Sequence, residues 1–478
     1  MKILLVRPHT NLATSSWLET IILLEPYALE IIAAAVSEPH TVEICDLAVA
    51  KHPYREFSSK LKNFAPDLVG FGGFSSQFNI NKKLAKITKE LLPQSITCLG
   101  GVHPSSVPAD CKYPELFNLI IRGDGVTAIK LIITALDNDE KLPETDWILH
   151  PASLNFDEFA AKLPPPLQPE SLNVIPRRDL IDPTKYFCLC YGEKEPQTTT
   201  KLFPEIASVR TSIGCPNKCK FCAVHFLANG KYVPRAAEVV VDEIAATTQD
   251  YIYFIDDETF VNTQRMRQIA ELLLERKIKK HYVSWARSDT VCKDPELFAL
   301  WKKAGLELVF IGFESLDEQR LDEYNKATTP SLNRQARQIL GELNLNLHVA
   351  LMVHPDFSAS DFLQVQQTIK ELAPAEFAFT VYSPPPGTAE YNSKKASFIC
   401  KDPYSLYDCM HTILPTKLPL KRFYKYLAIL YALSAPHNLV RTNKLKVSLK
   451  EFCRFLWAGI KLGWVIKRIY RKYDRKYW

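Results

Sequence analysis

The sequence predicts an α/β protein in four parts. A doubly wound, Rossmann-like parallel sheet covers residues 1–140. A Pro-rich linker covers 141–200. A partial (β/α)6 barrel of the TIM type covers 201–395, and a helical region covers 396–478. Three observations predict this. Short continuous apolar runs ending in Gly, Asp or Pro alternate with helical periods, the pattern of parallel strands buried on both faces. The alternation occurs twice, interrupted by "LPPPLQPESLNVIPRRDLIDPTKYF", which has no helical period. It stops after "SPPPGTAEY", where long helical patterns take over.

The first series supplies the strands "KILLVRP", "TVEICDL", "DLVGFGG", "SITCLGG" and "NLIIRGDG", with helices such as "PYALEIIAAAVSE" between them. Ligands of such sheets sit at the carboxyl ends of the strands. Gly72, Gly73, Gly100, Gly101, Gly123 and Gly125 fall at those ends. The second series supplies "EIASVRTS", "YIYFIDD", "HYVSWARS", "LELVFIGFES", "LNLHVALMVH" and "EFAFTVYSP". Six βα units in this length predict an incomplete barrel with its site at the strand carboxyl ends.

The net charge of +6 is a property of the tail. Arg441 to Trp478 holds twelve Lys/Arg and two acids, so the other 440 residues carry about −4. No signal peptide and no transmembrane run is predicted. The twelve cysteines are scattered, apart from one cluster and the pair Cys188 and Cys190. That usage predicts reduced thiols in a cytoplasmic compartment.

The cluster is "GCPNKCKFCAV", with Cys215, Cys219 and Cys222 in C-x3-C-x2-C spacing. Three thiols fall one short of a closed tetrahedral zinc site. His225 is the nearest candidate for a fourth ligand; core packing without metal is another reading. An iron–sulfur cluster is the third, and with three thiolates one iron of a cubane would lack a protein ligand. Such an open position can bind a small molecule.

The spacing with Phe221 inside it, after the first strand of a barrel, resembles the radical S-adenosylmethionine (SAM) superfamily. The resemblance implies a 4Fe-4S cluster on the three cysteines, with SAM chelating the open iron and cleaved by one electron to a 5′-deoxyadenosyl radical. It also implies SAM contacts at Phe221 of the cysteine loop, Asp256 and Asp257 of "FIDDETF", Arg287 of "WARSD", Glu314 of "GFES", and Pro386 and Gly387 of "SPPPGT". No catalytic residue beyond these is assigned.

A doubly wound sheet before such a barrel resembles the cobalamin-binding subgroup of that superfamily. The matching pieces are "GGFSSQ" (Gly73, Ser75, Ser76), "LGGVHPS" (Gly100, Gly101, His103) and "RGDG" (Gly123, Gly125). The loop that ligates cobalt in other cobalamin proteins reads D-x-H-x-x-G. Here Asp46 is present, but Ala48 and Lys51 replace the His and Gly, so no cobalt ligand is expected from this loop. A methylthiotransferase would hold a second cluster on N-terminal cysteines, for which Cys45, Cys98 and Cys111 are the available set.

With both cofactors the resemblance implies C-methylation of an unactivated carbon. It extends along most of the chain, through "LEPYALE", "FIDDE" and "HTILPTKLPLKRFY", to members that methylate hopanoid lipids at C-3. A reaction on a tetrapyrrole is the alternative. An electron donor such as flavodoxin or ferredoxin is implied. No nucleic-acid partner is expected. The basic aromatic tail either lies at the inner membrane face or packs on the barrel through its apolar stripe.

Overall fold

The computed structural model describes the chain outside residues 11–13, 15–18, 20–21, 164–168, 189–204, 373–375 and 443–448. The side chains of residues 169–170, 435–442, 449–452, 454–456 and 458 are likewise outside the description. Cys190 and the side chains of Lys450, Phe452, Arg454, Phe455 and Leu456 therefore lie outside the described residues.

The N-terminal sheet runs Thr41–Asp46, Lys2–Arg7, Leu68–Phe71, Ile96–Leu99, Leu119–Ile121, all parallel. Alternate residues feed the two faces: Leu4 and Val6 join one core, Ile3 and Leu5 the other. The strand order turns back between Lys2–Arg7 and Leu68–Phe71, so the ligand crevice opens beside Gly72 and Gly73. A sixth strand, Ile148–Leu149, pairs antiparallel at the edge. It comes from the stretch read as a surface linker, and both its side chains are fully buried, one on each face.

The barrel strands are Ile206–Val209, Tyr251–Phe254, His281–Ala286, Leu306–Glu314, Asn346–Val353 and Glu376–Val381. They pair in chain order, all parallel. The first and last are the edges, so the barrel is open, as its six-unit sequence pattern implies. Phe187–Cys188 of the Pro-rich stretch pairs with Ile22–Leu23, and Cys188 packs against Ile206, Tyr253, Val283 and Leu308.

The same Pro-rich stretch supplies Arg178, which ties the halves together. Its Nε lies 3.2 Å from Glu25 Oε1 and its Nη2 2.8 Å from Glu243 Oε1. Glu25 also accepts from the Ser208 amide at 2.8 Å, at the root of the barrel. No periodicity marks such a residue, which is why this stretch reads as a linker in the sequence.

Helices Leu420–Thr442 and Leu449–Arg468 pack on each other and on the outside of the barrel. Leu462, Ile466, Ile469, Tyr470 and Tyr473 join the barrel core. No described helix is long and apolar enough to cross a membrane.

Candidate functional site

The cysteine loop is closed at its root by a two-stranded ribbon, Ser212–Ile213 against Val233–Pro234. Gly214 sits at φ +85°, and a methyl group there would lie 2.0 Å from the Lys231 carbonyl oxygen. Only glycine fits that turn. The end of the second barrel strand anchors the same root. Buried Asp256 accepts from the Thr211 amide at 2.7 Å, the Thr211 hydroxyl at 2.8 Å and the Ser212 amide at 2.8 Å. Asp257 accepts from the Gly214 amide at 2.8 Å. Asp256, expected at the ligand, thus braces the loop instead, because its oxygens are already taken. Asp257 is exposed and keeps an oxygen free for more than the loop.

Each thiol has a nitrogen donor beside it. Asn217 Nδ2 lies 3.3 Å from Cys215 Sγ, the Val224 amide 3.5 Å from Cys222 Sγ, and Arg287 Nη1 3.9 Å from Cys219 Sγ. Burial pushes the Cys222 thiol up to about 11. Metal binding would therefore release protons from this loop. Among the described residues no three His, Cys, Asp or Glu side chains converge on a single ion. A cubane asks for a different arrangement, each thiolate on its own iron. The His225 ring packs on Gly230, where a methyl group would come within 2.9 Å of Cε1.

Arg287, from the end of the third strand, is buried. It pairs with Asp289 (Nε to Oδ1, 2.9 Å) and donates to the Lys326 carbonyl at 2.7 Å. Glu314 ends the fourth strand at φ +60°, with its Oε1 3.2 Å from Lys326 Nζ. Lys326 in turn lies 5.4 Å from the centre of the Phe221 ring, which meets Tyr324 edge-on at 5.7 Å. The result is a rim of cationic groups and aromatic rings around the thiols. A cavity of about 310 Å³ opens against Phe221, lined also by Tyr324, His354, Tyr382 and Lys394. The buried Tyr324 hydroxyl has no hydrogen-bond partner. His354 and Tyr382 follow the fifth and sixth strands directly. Polar residues closing "LMVH" and "TVY" were the available signal for them, and sequence reasoning passed over it.

On the N-terminal sheet the two glycine loops touch. A methyl group on Gly101 (φ +101°) would lie 2.8 Å from both the amide nitrogen and the carbonyl oxygen of Gly73. Ser105 Oγ joins the next loop by accepting from the Gly123 amide at 3.0 Å. Gly73, Gly100, Gly101, Ser75, Ser76 and Gly123 thus gather at one edge. Gly125 serves packing: a methyl group there would meet Ile32 Cδ1 at 2.7 Å. His103 is buried between Phe78 (4.1 Å) and Tyr404 (4.6 Å), with Nδ1 3.1 Å from Ser75 Oγ. Burial pushes its pKa down to about 3, so it is neutral. The Tyr404 ring, from the C-terminal region, covers it. Phe74 is 64% exposed on the same edge; a glycine-centred reading overlooks it. Asp46 is held by Arg7 and by the Tyr186 hydroxyl at 2.8 Å; Ala48 stands two residues after it, and the loop's histidine, His52, is exposed at the start of the next helix.

Cys45, Cys98 and Cys111 do not form a ligand set. Cys45 and Cys111 pack in one core of the sheet and Cys98 in the other. Burial pushes Cys45 and Cys98 up to about 12.

The two loop systems meet. Helix Val102–Ser106 of the first sheet contacts helix Val224–Leu227 of the cysteine loop. Gly387 (φ +85°) lies between them: a methyl group there would fall 2.3 Å from the Ser106 carbonyl oxygen and 3.1 Å from the Phe226 ring. Its observed role is thus this three-way contact, with Pro386 leading into it.

The site is thus a three-thiol loop at the carboxyl end of a parallel barrel, apposed to a glycine-lined sheet edge. Residues 209–369 match the Radical SAM superfamily and residues 23–133 the B12 binding domain. The chain therefore carries a radical SAM domain and a B12-binding domain, whose cofactors are a 4Fe-4S cluster, SAM and cobalamin. It is 28% identical over 430 residues to the hopanoid C-3 methylase of Methylococcus capsulatus, covering 89% of this chain and 78% of that protein. It is 23% identical to the anaerobic magnesium-protoporphyrin IX monomethyl ester cyclase of Cereibacter sphaeroides, over 76% of this chain and 59% of the cyclase. In fold it resembles the radical SAM methyltransferase TsrM of Kitasatospora setae with cobalamin and a 4Fe-4S cluster bound. There the TM-score is 0.65 at 15% identity, over 98% of this chain and 99% of that one. The cobalamin-dependent radical enzyme OxsB gives a TM-score of 0.66 at 16% identity, over 98% and 72%.

Proposed function

We propose that the protein is a cobalamin-dependent radical SAM C-methyltransferase that methylates an unactivated carbon, with C-3 of a hopanoid lipid as substrate. The observation that carries this reading is the contact of Ser106, Gly387 and Phe226. It sets the cobalamin-side loops directly against the cluster loop, as a methyl carrier and a radical source sharing one substrate require. The relationship to the hopanoid methylase along most of the chain supports the choice of substrate.

When bound, the three cofactors supply the methyl carrier and the one-electron cleavage of SAM. The chain's own residues hold and shield them. Cys215, Cys219 and Cys222 are the cluster ligands, with Asp256 and Asp257 positioning their loop. Arg287, Glu314 and the cavity beside Phe221 receive SAM. Gly73, Ser75, Ser76, Gly100, Gly101 and Gly123 form the floor for cobalamin, and His103 stays a buried polar contact. The work divides as cobalamin binding by 1–140, connection by 141–200, radical chemistry by 201–395 and cover by 396–478. A flavodoxin or ferredoxin supplies electrons, and the enzyme works at the inner membrane face.

The test is anaerobic reconstitution with a desmethyl hopanoid, read by mass spectrometry. A methylated product that disappears in Cys219→Ala supports the reading. Turnover of a tetrapyrrole ester with no change to the hopanoid would replace it with the cyclase reaction. Activity retained by Cys219→Ala would refute the cluster.

A further inference from the structure

We infer that one face of the C-terminal helix Leu449–Arg468 docks the protein on an anionic lipid bilayer. This deepens the lipid-substrate reading but stands on separate observations. The helix carries two apolar faces. Leu462 and Ile466 continue into Ile469, Tyr470 and Tyr473, all buried in the barrel core. Tyr473 secures that face, donating to the Thr412 carbonyl at 2.7 Å and lying 3.1 Å from the Tyr424 hydroxyl. The tail therefore does pack on the barrel, through one stripe.

The second stripe is Trp457, Ile460 and Trp464, which are 68%, 57% and 57% exposed. Spacings of three and four place them on one face. At 3.6 residues per turn, Ile460 and Trp464 point about 200° away from Leu462 and Ile466. Large apolar groups concentrated on a free surface mark an interaction site. Their surroundings are basic: Lys461, Lys467, Arg471, Lys472, Arg475 and Lys476 are exposed, and Asp474 is the single acid from 461 onward.

This chemistry fits a bilayer best. Tryptophan settles at the boundary of headgroup and hydrocarbon, and Lys and Arg reach up to anionic headgroups from an apolar stripe. A second copy of the chain would set one basic surface against another. A nucleic acid would neutralise the lysines but leave Ile460 and both indoles without an apolar partner.

The test is co-sedimentation of the full-length holoprotein with phosphatidylcholine vesicles, with and without phosphatidylglycerol. Binding is expected to the phosphatidylglycerol vesicles and to fall as salt is raised. Trp457→Ala with Trp464→Ala, and separately Lys461→Glu with Lys467→Glu, should weaken it by more than about tenfold. Both variants should keep the wild-type melting temperature and cobalamin content. Failure of the wild type to bind, variants that bind like wild type, a lipid-independent dimer that covers the tryptophans, or duplex DNA displacing the vesicles would each overturn the inference. The two readings fail separately. Methyl transfer to detergent-dispersed hopanoid without vesicle binding would sink the docking face alone. Vesicle binding without methyl transfer would sink the substrate alone.

Discussion

Gly387 and Ser106 touch across the domain boundary: there is no room for a methyl group between the Gly387 α-carbon and the Ser106 carbonyl oxygen. Gly387 follows the last barrel strand and Ser106 ends the short helix beside the sheet's glycine loops. The two loop systems are in direct contact there.

Gly387→Ala should therefore open the boundary. Alanine is strained at φ +85° and collides with Ser106. Iron per chain should stay at the wild-type level, while cobalamin content falls and SAM cleavage becomes uncoupled from methyl transfer. Iron analysis, visible spectra and product ratios check this. Coupled turnover at the wild-type rate would show that the contact does not matter.

Asp256 holds the root of the cysteine loop. Asp256→Ala leaves the Thr211 and Ser212 amides and the Thr211 hydroxyl without their acceptor, in a place where an unpaired buried group costs about 1–3 kcal/mol. Cluster loading should drop by roughly 10- to 100-fold in iron affinity, as for other residues that orient metal ligands. Asp256→Asn should recover part of it, since the amide oxygen still accepts. Equal iron content in all three proteins would contradict the role.

Glu30 supplies a pH signature. Both its oxygens are buried without hydrogen-bond partners, and burial, reinforced by Glu25, pushes its pKa from the ordinary 4.5 to about 9. The folded state holds this proton while the unfolded chain releases it above pH 4.5. Its stability contribution is thus complete below 4.5 and is lost as pH rises through 9. Glu30→Gln cannot ionise. Its melting temperature relative to wild type should rise steadily between pH 5 and 9, a trend that thermal denaturation reads directly. A pH-independent difference would contradict the buried proton.

Tyr404 latches the C-terminal region onto the sheet. Its hydroxyl donates to Asp110 and lies 3.2 Å from the Tyr391 hydroxyl, while its ring covers His103. Tyr404→Phe keeps the ring and should cost about 1–2 kcal/mol of stability. Tyr404→Ala should also lower cobalamin affinity by uncovering His103. Equal cobalamin binding by Tyr404→Ala and wild type, in equilibrium dialysis, would rule out the cover.

Both sheets were legible because a parallel strand buried on two faces leaves a continuous apolar run, and all eleven expected runs became strands. The cysteine loop was legible from spacing alone. The functions of individual carboxylates were not. Asp256 and Asp257 are adjacent at a strand end, yet one is consumed by the loop root and the other keeps a free oxygen, a difference that depends on where residues 211–214 fold. Gly125 and Gly73 look alike in sequence; only the nearness of Ile32 to one and Gly101 to the other separates a glycine packed on a helix from one where two loops touch. Arg178 and Tyr404 were invisible because long-range partners, not local pattern, give them their roles. The tail had two readings, and the structure fits one apolar stripe to packing and leaves the other free.

The most direct test of the central claim is a product count in one anaerobic reaction with methyl-deuterated SAM and a desmethyl hopanoid. In the proposed reaction two SAM molecules would serve each methylation, one as methyl donor and one as radical source. One S-adenosylhomocysteine and one 5′-deoxyadenosine are expected for each deuteriomethylated hopanoid. Formation of 5′-deoxyadenosine alone, with no labelled methyl group in any product, would contradict it.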